Sequence, residues 1–156
     1  MKKPEIIKTF LPNLKNKNKF LQFSKNNYFR FIKDEAMFQF FVVHILRENN
    51  YHVICNNYES RKTPFEQYQS IHLGNERGIP DIYTTECLKS VKGAYFELKS
   101  DIDKVYTKKL ILRNNNHIVE QKNMLDRLSL QGFVAIFLYP ENVQETFLTL
   151  FNINLK

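Results

Sequence analysis

The chain has 156 residues, of which 43% are hydrophobic and 14% aromatic, and its formal net charge is +7. A chain of this length can bury one ordinary core, so two full-sized domains are excluded. It has no apolar run near the roughly 20 residues that cross a bilayer, and no apolar signal-peptide segment follows its first lysines. We therefore expect a soluble, intracellular, cytoplasmic protein that is not secreted, with Cys55 and Cys87 as partly or fully buried thiols.

The basic charge is concentrated at the N-terminus. Residues 1–33 contain nine Lys/Arg and one acid, a net charge of +8, whereas residues 34–156 contain 14 Lys/Arg and 15 Asp/Glu. A cationic segment attracts polyanions by releasing condensed counterions, so nucleic acid is the natural partner, although a tail that only aids solubility explains the charge equally well. We divide the chain into a basic N-terminal arm, residues 1–33, and one domain, residues 34–156. The candidate phosphate contacts in the arm are Lys15, Lys17, Lys19, Lys25 and Arg30.

The first predicted helix begins after Asp34, a residue suited to cap it, and covers DEAMFQFFVVHILRENN. The next segment, YHVICN, is typical of a strand, and residues 57–79 predict a loop. Two further strands, DIYTTE and AYFELK, follow on either side of Lys92-Gly93, which has the composition of a turn. We expect these two strands to form a hairpin.

A basic, Asn-rich loop is predicted from Lys104 to Asn116. The segment HIVEQKNMLDRLSLQ then predicts a helix that ends before Gly132, FVAIFLYP predicts a strand buried on both faces, and ENVQETFLTLFNINL predicts a last helix. The expected order is helix, three strands, helix, strand, helix. The candidate phosphate contacts in the basic loop are Lys104, Lys108, Lys109 and Arg113.

Three charged residues near the predicted hairpin have the chemistry of a metal-dependent phosphodiester hydrolase. Such hydrolysis needs a divalent cation, which Mg²⁺ sites hold mainly through carboxylates. Asp81 opens one strand, and Glu97 and Lys99 are two residues apart, so both project from the same face of the next strand. We expect Asp81, Glu97 and the carbonyl of Leu98 to bind the metal at a cleft. Lys99 would orient or help deprotonate the attacking water and offset charge on the phosphate.

A structural explanation of the same residues is also available. Glu97 and Lys99 would then be an exposed pair on one strand, and Asp81 a turn residue after Pro80.

Two more polar residues lie on predicted helix faces that are otherwise apolar. Glu35 is in the first turn of the first helix, where a carboxylate serves either a site or the helix dipole. Gln121 shares its stripe with Ile118, Leu125 and Leu128, and a buried amide there must find a hydrogen-bond partner. The partner belongs either to a site or to the structure alone.

Together these residues resemble the VRR-NUC branch of the PD-(D/E)XK nucleases. The resemblance runs from about Glu35 to Tyr139, and the matching positions are a helical Glu (Glu35), Gly-x-Pro-Asp (Gly78 to Asp81), Glu-x-Lys (Glu97 to Lys99), a helical Gln (Gln121), and Gly132 before an apolar strand. It implies an α/β fold with a restriction-endonuclease-like core, a central mixed β-sheet of about four strands flanked by helices. It also implies Asp81 and Glu97 as ligands of Mg²⁺ or Mn²⁺, Lys99 as the catalytic lysine, and Glu35 and Gln121 as completing the site.

For short stand-alone members of viruses and phages, the resemblance suggests a homodimeric endonuclease that resolves branched DNA in recombination or repair, active wherever that DNA is replicated. A nuclease on RNA or linear DNA, and a non-catalytic nucleic-acid-binding module, are the alternatives. Two features depart from the family pattern. The interval from Lys99 to Gln121 is longer than usual, and the basic arm lies outside the resemblance.

Overall fold

The computed structural model of the chain describes residues 32, 34–56, 63–64, 78–87 and 91–155. In chain order its elements are α1 (Glu35–Glu48), β1 (Val53–Cys55), β2 (Ile82–Thr84), β3 (Ala94–Leu98), the 3-10 helix η1 (Ile102–Lys104), α2 (Asn116–Leu130), β4 (Val134–Leu138) and α3 (Pro140–Phe151). Apart from η1, the predicted order of helices and strands is confirmed. Within the described ranges, each helix is too short or too polar to cross a membrane. Residues 1–31 and 33 of the arm and most of the predicted 57–79 loop lie outside these residues.

The four strands form one mixed sheet in the order β1-β2-β3-β4. The pairs β1–β2 and β2–β3 are antiparallel, and β3–β4 is parallel. The predicted hairpin of β2 and β3 is confirmed, with Ile82 opposite Phe96. Parallel neighbours need a crossover connection, which α2 supplies between β3 and β4. The α/β fold class is therefore confirmed, and the arrangement is consistent with a restriction-endonuclease-like core.

Apolar clusters lie on both faces of this sheet. On one face, α1 and α3 pack against alternate strand residues, with Phe38, Phe96 and Phe147 fully buried. On the other face, α2 packs against β3 and β4 in a smaller cluster. The members of this second cluster are Val105, Ile118, Leu125, Ala135 and Phe137. Because β4 contributes to both clusters, the prediction that it is buried on both faces is confirmed. Cys55 and Cys87 are free and partly buried against the first cluster, as expected.

Local sequence sets the helix boundaries. The Asp34 carboxylate accepts a hydrogen bond from the Met37 amide at 2.8 Å and caps α1, as predicted. The Asn115 side chain caps α2 in the same way. Gly132, with φ of +93°, follows α2 in the left-handed conformation predicted for a C-terminal cap. These caps fix where each helix meets the sheet, and therefore which of its residues face the strands.

Gly93 fixes the entry of the chain into β3. Its φ is +147°, and a Cβ there would lie 2.5 Å from the Thr84 carbonyl oxygen and 3.0 Å from the Tyr83 ring. We expect Gly93→Ala to destabilise the fold by about 2–4 kcal/mol, because backbone strain and overpacking add. Urea denaturation of the purified variant measures this effect.

Gly132→Ala is the matched control for that variant. Gly132 also has a positive φ, but a Cβ there would meet only the Lys92 side chain, at 3.6 Å. Its expected destabilisation is about 1–2 kcal/mol, from backbone strain alone. Equal destabilisation in the two variants would contradict a steric role for Gly93.

Candidate active site

Asp81 is held at the start of β2 by hydrogen bonds from two directions. The Asn56 amide donates to the Asp81 carbonyl at 2.8 Å, and the Asn56 side chain donates to the Ile79 carbonyl at 3.1 Å. The Asp81 carboxylate in turn accepts the Leu98 amide at 2.7 Å. Continuing the β2–β3 register places Asp81 opposite Glu97. The hairpin therefore brings these two residues together, as predicted.

Glu97 is the centre of a buried polar cluster. Its Oε1 accepts hydrogen bonds from the Lys99 ammonium at 2.9 Å and from the Gln121 amide. The exposed fractions of Glu97, Lys99 and Gln121 are 4%, 6% and 2%. Removing ionised groups from water is costly unless they are paired and hydrogen-bonded, which this cluster achieves. The alternative of an exposed Glu97–Lys99 pair is therefore wrong.

The expectation of an open cleft beside this strand face also needs correction. Helix α2 packs across β3 and β4 and covers the deep end of the polar cluster with Gln121. Asp81 is half-buried and Glu35 is exposed. Exposure thus increases from Gln121 through Glu97 and Lys99 to Asp81 and Glu35, so a ligand would approach from the Asp81 side.

The charges of three carboxylates act on Lys99. Burial lowers the pKa of Lys99, but the charge and hydrogen bond of Glu97 and the charges of Glu35 and Asp81 outweigh this effect, and the net pKa is raised. Lys99 is therefore an ammonium at neutral pH, with donor protons and a positive charge. This favours its predicted role in orienting water and offsetting charge over a role as a proton acceptor.

Glu35 lies close enough to this cluster for its charge to stabilise the Lys99 ammonium. It occupies the first turn of α1, where it also complements the helix dipole. Both interpretations offered by the sequence are thus compatible with its position. The five predicted catalytic residues, Glu35, Asp81, Glu97, Lys99 and Gln121, are linked by charge or hydrogen bonds.

The donor atoms around β3 suit a hard divalent cation. Asp81 and Glu97 supply carboxylates, and the Leu98 carbonyl leaves the strand on the same edge as the Leu98 amide that contacts Asp81. Among the described residues, no group of three or more His, Cys, Asp or Glu side chains could hold a metal. Two carboxylates and a carbonyl still fit Mg²⁺, which keeps several of its water ligands.

One buried oxygen atom of the cluster is suited to contact a bound water or ion. The Gln121 Oε1 is buried and has no hydrogen-bond partner within the part of the chain that the structure describes. An unsatisfied buried oxygen is costly, and an ordered water or a hydrated cation would satisfy it. The residues therefore fit the predicted cofactor, whose binding stays a prediction.

The predicted basic contacts divide into two groups. Lys104, Lys108, Lys109 and Arg113 are exposed. They belong to residues 104–113, which we name the basic hairpin, because Tyr106 and Leu112 form an antiparallel bridge there. The loop predicted from Lys104 thus contains a short hairpin, and its last residue, Asn116, begins α2. The arm candidates Lys15, Lys17, Lys19, Lys25 and Arg30 lie outside the described residues.

The long interval between Lys99 and Gln121 has a structural explanation. Helix η1 and the basic hairpin occupy most of it, after which α2 returns to the sheet. Gln121 still reaches Glu97. The length of this interval therefore does not prevent the predicted contact of Gln121 with the cluster.

The chain was also compared with known proteins. No protein-family model matches it, and no curated protein matches it. A solved structure described as a VRR_NUC domain protein aligns with 77% of this chain and 89% of its own length, at 16% sequence identity and a TM-score of 0.49. The function of this chain is therefore inferred from the contacts that its own residues make.

Asn56 was not found from the sequence. It is positioned by β1 and supports the turn before Asp81 through both its backbone and its side chain. The available signal was a polar residue directly after an apolar strand, YHVICN, which is too common to single out. Its contacts depend on the β1–β2 pairing, which only the folded chain shows.

Proposed function

We propose that this chain is a Mg²⁺-dependent nuclease, an endonuclease that hydrolyses DNA phosphodiesters, with Mn²⁺ able to substitute. The observation that carries the proposal is the convergence of Asp81 and Glu97 beside a buried Lys99 ammonium. Buried ion pairs are expensive, and a hydrophobic core packs as well without one. The half-buried Asp81 carboxylate beside the Glu97–Lys99 pair is therefore better explained by a catalytic role than by a contribution to the stability of the fold.

Asp81, Glu97 and the carbonyl of Leu98 would hold the cation. When bound, a divalent cation polarises the phosphoryl group and lowers the pKa of a coordinated water. The amide of Leu98 fixes the Asp81 carboxylate, and Gln121 fixes the Glu97 carboxylate, so both acids are oriented before substrate binds. Such preorganisation reduces the reorganisation needed in the transition state.

Lys99 supplies the positive charge and donor protons of the site. Hydrolysis builds negative charge on the phosphoryl oxygens, and an ammonium close to them stabilises that charge. Its hydrogen bond to Glu97 keeps the flexible lysine side chain directed at the acids. Glu35, on the exposed side, adds negative charge near the entrance and helps keep Lys99 protonated.

A branched substrate, as for a junction resolvase acting in recombination or repair, is the finer part of the proposal. The basic hairpin, which follows Lys99 closely along the chain, offers exposed cations for phosphates. RNA or linear DNA as the substrate would use the same catalytic residues. A non-catalytic nucleic-acid-binding module would keep the positive charge without needing the buried Glu97–Lys99 pair.

The test is incubation of the purified protein with labelled four-way junction, linear duplex, single-stranded DNA and RNA, with and without Mg²⁺. We expect cleavage that requires Mg²⁺, is supported by Mn²⁺, and is fastest on the junction. Faster cleavage of RNA or linear duplex would change the substrate class. Absence of metal-dependent cleavage on all four would contradict the nuclease proposal.

We also propose a homodimer. Symmetrical resolution of a junction requires two cuts by sites related by a two-fold axis. We expect twice the chain mass of 18.7 kDa by light scattering, free or on junction DNA. A monomer under both conditions would contradict this state and leave the single-site nuclease standing.

The basic arm gives a separate prediction. If residues 1–33 bind phosphates, deletion of residues 1–30 weakens DNA binding and flattens the dependence of log K on log salt, by about 0.9 for each duplex phosphate that the shortened chain no longer neutralises. Fluorescence anisotropy in Ca²⁺ across a salt series measures the slope. An unchanged slope would assign the arm to solubility or to protein contacts.

A further inference from the structure

The basic hairpin presents two aliphatic side chains to solvent. Leu110 is 72% exposed and Ile111 is 61% exposed, and they are adjacent at the tip. Single exposed aliphatic residues are common on protein surfaces, but the tip of a loop usually carries polar residues. The neighbouring Leu112 is only partly exposed because it packs against the second cluster.

The hairpin is ordered by its own hydrogen bonds. The Leu110 amide donates to the Thr107 carbonyl at 2.8 Å, and the Thr107 amide donates to the Ile111 carbonyl at 2.8 Å. At its base, the Arg113 amide donates to the Val105 carbonyl at 2.9 Å, and Val105 is fully buried. The aliphatic tip therefore stands on a base that is anchored in the core.

Leu110 occupies a backbone position that favours glycine. A tight turn from Thr107 followed by a residue in the left-handed region is a common hairpin connection, and glycine is usual at that residue. Here Leu110 has φ of +58°. A leucine in this conformation is strained by roughly 1–2 kcal/mol relative to glycine. Folding alone thus favours glycine, so the exposed leucine needs another explanation.

The charge around the tip indicates the kind of partner. Residues 104–113 contain four basic side chains and no acidic one. Lys108 and Lys109 directly precede the two aliphatic residues, and all four cations are exposed. Cations flanking an apolar tip match a nucleic acid, whose phosphates surround stacked bases. Proteins that kink nucleic acid insert aliphatic side chains between base steps from such basic surroundings.

We propose that the tip of the basic hairpin is a wedge that enters DNA at an unstacked step, with Leu110 and Ile111 against the exposed base faces and Lys108 and Lys109 on the flanking phosphates. Opening a stack is easiest where pairing is already interrupted, as at a branch point or mismatch. The wedge would therefore select branched or mismatched DNA over a continuous duplex. This deepens the proposed function and rests on it for the identity of the substrate.

The wedge lies near the catalytic cluster along the chain. Only Ser100 and Asp101 separate Lys99 from η1, which leads directly into the basic hairpin. The Asp101 side chain accepts the Lys104 amide at 3.1 Å and so fixes the start of the hairpin. The base of the hairpin is thus only a few residues along the chain from the strand that carries Glu97 and Lys99.

The test uses DNA with 2-aminopurine beside the branch point of a four-way junction, beside a mismatch, and in a continuous duplex, all in Ca²⁺ without turnover. We expect the full-length protein to raise fluorescence at the junction and the mismatch by about twofold or more, and little in the duplex, because insertion unstacks the probe. Leu110→Gly combined with Ile111→Thr should abolish the rise. It should also reduce the preference for junction over duplex binding by about tenfold, as expected when two aliphatic side chains lose apolar contact with the bases.

The variants are chosen so that loss of folding cannot explain the result. Leu110→Gly relieves backbone strain, so its thermal stability should equal or exceed that of the unmodified protein. Leu130→Gln replaces an aliphatic residue that is 90% exposed at the end of α2 and should leave fluorescence and binding unchanged. A double variant that still unstacks the probe like the unmodified protein would overturn the wedge.

Two other partners of the tip are distinguished by parallel measurements. If the double variant differs from the unmodified protein only by a lower mass in light scattering, the tip binds a second copy of this chain, and the wedge is overturned. If the double variant differs only by weaker co-sedimentation with anionic phosphatidylserine vesicles, the tip binds a lipid surface, and the wedge is likewise overturned. Unstacking without cleavage by the unmodified protein would contradict the proposed nuclease and leave the wedge standing.

Discussion

Asp81→Asn is expected to abolish Mg²⁺-dependent cleavage while the fold remains intact. The Asn side chain retains an oxygen that can accept the Leu98 amide, so the 2.7 Å hydrogen bond survives the change. The variant lacks the negative charge that a divalent cation requires. Single-turnover cleavage of labelled junction DNA measures the effect, and circular dichroism checks the fold. Full activity in this variant would end the hypothesis that Asp81 binds the metal.

Glu97 gives the companion result, and here the choice of substitution matters. Glu97→Gln is also expected to abolish cleavage because it removes the second carboxylate. Glu97→Ala is expected also to destabilise the protein, by about 3–5 kcal/mol, because it removes both the charge that pairs with the buried Lys99 ammonium and the hydrogen-bond acceptor that glutamine keeps. If Lys99 were exposed, we would instead expect Glu97→Ala to be stable, because removing one acid relieves the repulsion between Asp81 and Glu97.

The matched control for that destabilisation is Asp81→Asn, which keeps an acceptor for the Leu98 amide. Asp81 is only half-buried, and Lys99 keeps its hydrogen bond to Glu97 in that variant. We expect Asp81→Asn to unfold at a urea concentration close to that of the unmodified protein, while Glu97→Ala unfolds at a much lower one. Equal stabilities would mean that the Glu97–Lys99 pair adds little to the fold.

Much of this fold could be predicted from residues that lie close together in the sequence. The cap by Asp34, the C-terminal position of Gly132, and the apolar stripes of α1 and α2 each depend on residues within a few positions of one another. The period of two along β3 correctly placed Glu97 and Lys99 on one face. The stripe of α2 also placed Gln121 inward, although its partner could not be named from the stripe alone.

Long-range contacts determined what the sequence did not predict. The burial of the Glu97–Lys99 pair depends on α2 folding back over the sheet, where Gln121 contacts Glu97, a residue 24 positions earlier in the chain. An alternating strand looks the same whether its polar face meets water or a helix, so an open cleft was the simpler expectation. The basic hairpin was missed because neither the Val105-Tyr106 pair nor the run Leu110 to Leu112 alternates as a strand does, and only the folded chain shows the bridge between Tyr106 and Leu112.

Lys99→Ala separates a working catalyst from a relic that only binds metal. An ammonium beside two carboxylates stabilises charge that develops in the transition state, and binding of DNA in its ground state need not share that contribution. We expect the single-turnover cleavage rate to fall by at least about a hundredfold, typical of removing one positioned catalytic group. Junction affinity measured in Ca²⁺ should change little.

Lys99→Arg tests whether charge alone is enough. Arginine keeps the positive charge, but its planar guanidinium is bulkier and cannot reproduce the compact geometry of a lysine that is only 6% exposed. We therefore expect a similar fall in rate for this variant, with the fold checked by urea denaturation because Glu97 is buried beside it. If Lys99→Ala cuts at nearly the unmodified rate, Lys99 serves only as the structural partner of Glu97, and any nuclease activity must be sited elsewhere on the chain.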